Sequence, residues 1–311
     1  MISILRSRPI TFVVGPDETQ FVVHADVLTR LSRPLRALID GDMKEAKESR
    51  VIWDDVDNQT FVRFIQWAYT DDYVTAEPDI LLDASNIQTG ASLAASTSTP
   101  SGTESKLYCL QDKAEDTPPE PGKCPYGNTV ASYTQSRNCK KCGQYFNAPH
   151  CNSCGTYHKQ LCSICTTTTK GAAMAKSFTT SADWKIASST FKPRPNTEGC
   201  EDYSVVFACH ANLYILADKY DIGPLGKLSM HKLYTTLTTF KLYPSRMSDV
   251  LSLVELVFEN TPDGDKLRSM MVHYCACMVE DLAKCEKFQP TLQAYPEFSS
   301  ALMAKMSERL N

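Results

Sequence analysis

The chain has 311 residues, 42% hydrophobic and 22% charged, an ordinary globular composition with length for one large domain or two. It has no run of about 18 apolar residues, the length a membrane helix needs. The opening MISILRSRPI reaches Arg6 and Arg8 too early for a signal-peptide core, so an intracellular protein of nucleus or cytoplasm is expected, with no membrane partner. The net charge of −4 excludes a uniformly basic nucleic-acid binder, and thirteen cysteines in a reducing compartment point to metal rather than disulfides.

The first ordered block spans residues 9–82. Thr11-Phe12-Val13-Val14, a turn at Gly15-Pro16-Asp17, and Gln20-Phe21-Val22-Val23 predict a hairpin. Val27, Leu28 and Leu31 have helical spacing. Pro34 suits the first turn of a second helix carrying Leu35, Leu38 and Ile39, and Gly41 suits its stop. Arg50–Trp53 predicts a third strand, and Asp57 can cap a helix with Phe61, Phe64, Ile65 and Ala68 on one face.

Residues 83–138 read as a low-complexity linker: Ala84 to Ser105 holds ten Ser or Thr in twenty-two positions and no aromatic. Such a stretch buries too little apolar surface to offset the entropy of ordering it. Six of the thirteen cysteines then fall within residues 139–165, and 166–200 reads as a second linker. From 201 onward the pattern is helical. Val206, Cys209, Leu213, Leu216, Ala217 and Tyr220 define one face, Gly223-Pro224 opens the next helix to about Leu237, and Ser248 is placed to cap another. A turn at 261–264 precedes a helix over 267–282, and a last helix is expected between Pro296 and Leu310.

Within the cluster, Cys139-Lys-Lys-Cys142-Gly and Cys151-Asn-Ser-Cys154-Gly are two Cys-x-x-Cys-Gly turns. Thiolates two residues apart can both face one metal, the glycine permits the left-handed backbone of such a knuckle, and two knuckles supply four ligands for tetrahedral zinc. The pattern resembles a zinc-ribbon or rubredoxin-type site. Cys162 and Cys165 form a further pair, with His150 and His158 nearby. Six cysteines and two histidines could hold two zincs, or Cys162 and Cys165 could replace one of the first pairs, and Cys124 is another candidate; spacing does not choose. A thiolate-rich closed site is structural rather than catalytic.

Charge is segregated as well. Arg137 to Arg194 holds nine Lys or Arg against the single acid Asp183, a balance of +8, while the remaining 253 residues carry −12. Such an insert can touch RNA, DNA or an acidic protein face, or it is a solvated basic linker or one that rests on the acidic body of its own chain; the linker readings are favoured, and no interleaved aromatics and arginines suggest base stacking. Cys275 and Cys277 read as structural thiols, Cys200, Cys209 and Cys285 as ordinary residues, and His24 and His210 lack partners for nucleophilic catalysis. No phosphate-binding glycine loop, nucleophile elbow or zinc-protease motif occurs.

Together the two ordered blocks resemble one BTB/POZ domain of the kind common in fungal proteins. The resemblance rests on Val23-His24, the Leu28 helix, Pro34-Leu35-Arg36-Ala37-Leu38, Gly41-Asp42-Met43-Lys44-Glu45-Ala46, Arg50-Val51 and Phe61. It continues through Phe64-Ile65-Gln66-Trp67-Ala68-Tyr69-Thr70 and Leu213-Tyr214-Ile215-Leu216-Ala217-Asp218-Lys219-Tyr220-Asp221-Ile222. It implies an α+β fold of short strands with a helical cluster, with 9–82 and 201–238 as its two parts. A long insertion bearing the zinc module at 139–165 splits them, and helices follow over 239–311. It also implies protein binding without catalysis, and a substrate-adaptor role for a cullin-type ubiquitin ligase through Met43 and Glu45. About ten residues precede the hairpin, where the family's swapped dimers carry an extra helix and strand, so dimerisation by that route is not expected, while homo-oligomerisation by another stays open. The alternative is a chromatin or transcription regulator whose basic insert contacts nucleic acid.

Overall fold

A computed structural model of the chain describes residues 4, 6–42, 44–81, 134–138, 145–149 and 170–308. The fold is mixed α+β, with helices predominating and few short strands. Strands β1 (Pro9–Val14) and β2 (Thr19–His24) pair antiparallel with Phe12 opposite Phe21, and β3 (Arg50–Trp53) lies parallel on the other side of β1 with Phe12 opposite Val51. The hairpin turn begins at Gly15, whose φ of +70° only a residue without Cβ adopts freely. Because side chains alternate along a strand, Ile10, Phe12, Val14, Val23, Val51 and Trp53 all enter the core, while Val22 and Ile52 face outward at 70% and 64% exposure.

The parallel return from β2 to β3 needs a crossover. Helices α1 (Ala25–Thr29), α2 (Arg33–Asp40) and α3 (Lys44–Glu48) supply it. Ser32 caps α2 by accepting from Leu35 N–H, and Pro34 sits in its first turn. Gly41 ends it with an ordinary negative φ; the need for glycine is space, since a Cβ there would lie 2.2 Å from the Ala37 carbonyl oxygen. Asp57 caps α4 (Asn58–Thr70), accepting from Thr60 N–H at 2.9 Å and Thr60 O–H at 2.6 Å.

The remainder builds on this. Strand β4 (Asp79–Ile80) pairs with β7 (Glu201–Asp202), tying together the chain before and after the insertion, and β5 (Thr134–Asn138) pairs with β6 (Tyr145–Pro149) inside it. Helix α5 (Lys170–Thr180) then docks on a bundle of α6 (Ser204–Lys219), α7 (Gly223–Thr239), α8 (Met247–Asn260), α9 (Lys266–Cys277), α10 (Val279–Leu282), α11 (Phe288–Ala294) and α12 (Pro296–Ser307). No described helix is long and apolar enough to cross a membrane.

Two cores result, and α6 belongs to both. Cys209, Leu213, Leu216 and Ala217 complete the core of the first block, whereas Val206, Phe207 and Ala211 enter the helical core. The sequence pattern identifies one apolar face on α6, but a helix sandwiched between two layers buries two. Tyr220, just past its end, stacks on Trp53 at 4.6 Å and 24°. Residues brought back after the insertion therefore close the core begun before it.

Four further differences have local causes. The stretch 166–200, expected as linker, contains α5, whose Met174 and Phe178, four residues apart, are both buried in the helical core. Ser248 does not cap α8; a 3-10 turn at Pro244–Arg246 leads straight into Met247. The helix expected over 267–282 breaks at Met278, whose φ of −108° and ψ of 13° interrupt the ladder. Cys200 is disulfide-bonded rather than ordinary, at the foot of the insertion where its carbonyl accepts from Leu81 N–H.

Candidate functional site

The segment between Gly41 and Ser49 is held at both ends by one side chain. The Arg8 guanidinium donates to the Ile39 carbonyl, to Asp40 at 3.1 Å and to Ser49 Oγ at 2.9 Å, gripping the end of α2 and the residue after α3. Ser49 adopts φ of +51° and its carbonyl accepts from Thr11 N–H, which swings the chain into β3. Glu45 lies in the first turn of α3, half-buried, with Oε2 shielded from solvent and lacking a hydrogen-bond partner. Met43 lies outside the described residues. What emerges is a short helix braced at both ends, with Glu45 half-buried on it. Arg8 carries no motif, and its role follows only from the fold.

The metal candidates Cys139, Cys142, Cys151, Cys154, Cys162, Cys165, His150 and His158 also lie outside the described residues. The hairpin between them is described: β5 and β6 pair with Arg137 opposite Phe146 and Asn138 opposite Tyr145. In sequence, Cys139 and Cys142 fall in the connection ahead of β6, and Cys151 follows two residues after it. Among the described residues, no group of three or more His, Cys, Asp and Glu could hold a metal ion.

A third constellation, which sequence reasoning missed, lies where 72–76 crosses α6 and α7. Lys232 is buried on α7, yet its ammonium donates to Asp72 Oδ1 at 2.5 Å and to the Tyr73 carbonyl at 2.6 Å, over the rings of Tyr73 and Phe191 at 4.0 and 4.9 Å. Tyr73 Oη and His210 Nδ1 are 2.7 Å apart. Burial, reinforced by the Lys232 and Arg63 charges, drops His210 to about 3, so its imidazole is neutral at physiological pH. Burial raises the neighbouring Cys209 thiol, which suits packing and not nucleophilic attack. This cluster fastens the two sides of the insertion together. The one sequence signal is a lysine directly ahead of core positions Leu233 and Tyr234 in a helix.

No protein-family model, curated protein or solved structure matches this chain.

Proposed function

We propose that the chain is a non-catalytic protein–protein interaction module of the BTB/POZ type, acting inside the cell as a substrate adaptor for a cullin-type ubiquitin ligase, with Met43 and Glu45 as its contact. The observation that carries this reading is the braced element from 41 to 49, whose two ends a single arginine fixes. The order of elements supports it too, since a three-stranded sheet with helical crossover is completed by the helix pair at 204–239 across a long insertion. Met43→Ala with Glu45→Ala abolishes co-purification with the cullin scaffold; a wild-type chain that never binds one removes the proposal.

The insertion carries a structural zinc on Cys139, Cys142, Cys151 and Cys154, with Cys162, Cys165, His158 and His150 as the second set. Metal analysis gives at least one zinc per chain, lost with Cys139→Ser and Cys151→Ser; a wild-type chain purified without zinc overturns the assignment. A second reading, a chromatin or transcription regulator, draws on the charge segregation, nine bases against one acid between Arg137 and Arg194. Under it, affinity for nucleic acid falls steeply with salt as phosphate counterions are released. Absence of binding at low salt eliminates it.

A further inference from the structure

The three-stranded sheet has two outer edges, and they differ. On β2 the His24 N–H donates to Tyr69 Oη at 3.3 Å, so a side chain of α4 takes up that end of the edge. Strand β3 borders the sheet on the other side and pairs with β1 alone. Its ladder runs one step past each end of the strand: Thr11 N–H donates to the Ser49 carbonyl at 3.0 Å, and Gly15 N–H to the Trp53 carbonyl at 2.9 Å. Alternate residues of a parallel strand bond to one neighbour, so 49, 51 and 53 face β1. A planar trans peptide points its N–H opposite to its C=O. The N–H groups of Arg50, Ile52 and Asp54, and the carbonyls of Arg50 and Ile52, therefore point away from the sheet, and among the described residues nothing bonds to them.

The side chains of this edge are equally unclaimed. Val51 and Trp53 enter the core, which leaves Ile52 on the outer face at 64% exposure, between an exposed Arg50 and an exposed Asp54. Nearby charges are already matched, Asp55 with Lys219 and Asp40 with Arg8. Among the described residues Arg50 and Asp54 have no ion-pair partner. An open edge strand invites a further strand, and charges on it ordinarily repel a second copy. Here the two charges have opposite signs and stand two residues either side of Ile52, so reversing the chain direction exchanges them. An antiparallel copy centred on Ile52 sets Arg50 opposite the partner's Asp54 at both ends, and unlike charges directly opposite each other stabilise a strand pair. A parallel in-register copy sets Arg50 against the partner's Arg50, which like-charge repulsion opposes.

We propose that β3 is a self-association edge, at which two copies of this chain join antiparallel about a two-fold axis through Ile52 to make one six-stranded sheet. The occupant is a second copy because the edge complements its own sequence. Ile52 exchanges both backbone bonds with the partner's Ile52, and each Arg50 meets the partner's Asp54. Such a contact is isologous and closes at two, so it gives dimers and not fibres. A four-residue strand makes the dimer a weak, concentration-dependent one. The proposal does not rest on the adaptor reading or on zinc.

Sedimentation velocity of the full chain over about 5–500 µM, where small interfaces assemble, tests it. Wild type passes from monomer to dimer; a monomer throughout overturns the proposal. Arg50→Glu and Asp54→Arg each set like charges opposite one another and weaken the dimer about tenfold or more. An equimolar mixture of these two variants dimerises as wild type does, because every opposed pair in the mixed dimer is again unlike. Ile52→Lys brings two cations together on the axis and abolishes dimerisation. All three positions are exposed, and circular dichroism checks that each variant keeps its fold. A dimer that survives Arg50→Glu or Ile52→Lys forms elsewhere on the chain, and a mixture that stays monomeric contradicts the register; either result ends the proposal. Should a charge variant unfold, wild type and Ile52→Lys still decide.

Discussion

The Lys232–Asp72 pair is lopsided, and the lopsidedness makes a quantitative prediction. The lysine side chain is 3% exposed and the aspartate 68%. Two unit charges at about 4 Å and an effective dielectric of 20 attract by about 4 kcal/mol; with one partner largely in water, roughly half survives screening. Asp72→Asn strands a buried ammonium with one carbonyl and two ring faces, and destabilises the fold by about 2 kcal/mol. Lys232→Met instead releases a carboxylate into water and removes the desolvation burden of the cation, leaving only the Tyr73 carbonyl short of a donor; its cost is about 1 kcal/mol or less. With the ammonium gone, Asp72→Asn adds almost nothing, so the double variant matches Lys232→Met alone. Urea unfolding at pH 7 followed by far-ultraviolet circular dichroism measures all four chains. Costs that add, or a Lys232→Met cost above that of Asp72→Asn, would refute the reasoning.

Acidification tests the neutral histidine. His210 lies at about 3 in the folded chain, below its ordinary 6.5, so its contribution is complete above pH 6.5 and declines as pH falls, by about 2 kcal/mol at pH 5. Asp249, buried and raised to about 6, works in the opposite sense: its contribution is full below about 3.8 and fades as pH rises through 6. His210→Gln therefore flattens the acid side of the stability profile and Asp249→Asn steepens it; two unchanged profiles contradict both assignments. Gly41→Ala drives a Cβ against the Ala37 carbonyl and lowers stability by about 1–3 kcal/mol, read as a fall in thermal midpoint. Tyr220→Ala removes the ring stacked on Trp53 and costs about 3 kcal/mol, with a matching change in tryptophan fluorescence; a silent substitution would show that residues after the insertion do not support the first core.

Periodicity and punctuation settled the local elements. Alternation in 9–14 and 19–24, the Ser32 and Asp57 caps, Pro34 and the Gly223-Pro224 start all act over a few residues, so their signals survive in one dimension. Helix α5 escaped because two apolar residues in a run of Thr, Ala and Lys carry little pattern; Met174 and Phe178 gain their burial from the helical core, Phe178 against the rings at 234, 273 and 274. Arg8 and Lys232 escaped for a related reason. A cation's role depends on the carbonyls and carboxylates facing it, and those lie 31 to 41 and 159 or 160 residues away.

By itself the sequence determined a mixed α+β chain with its Cys-x-x-Cys pairs and its local excess of basic charge gathered between residues 137 and 194. Tertiary structure alone decided that α6 serves two cores, that Trp53 and Tyr220 stack across the interruption, and that Met174 and Phe178 of α5 enter the helical core. The physical reason is range: helix caps, turns and strand alternation are fixed by neighbours in sequence, whereas burial and the pairing of buried charge are fixed by whatever the folded chain brings alongside.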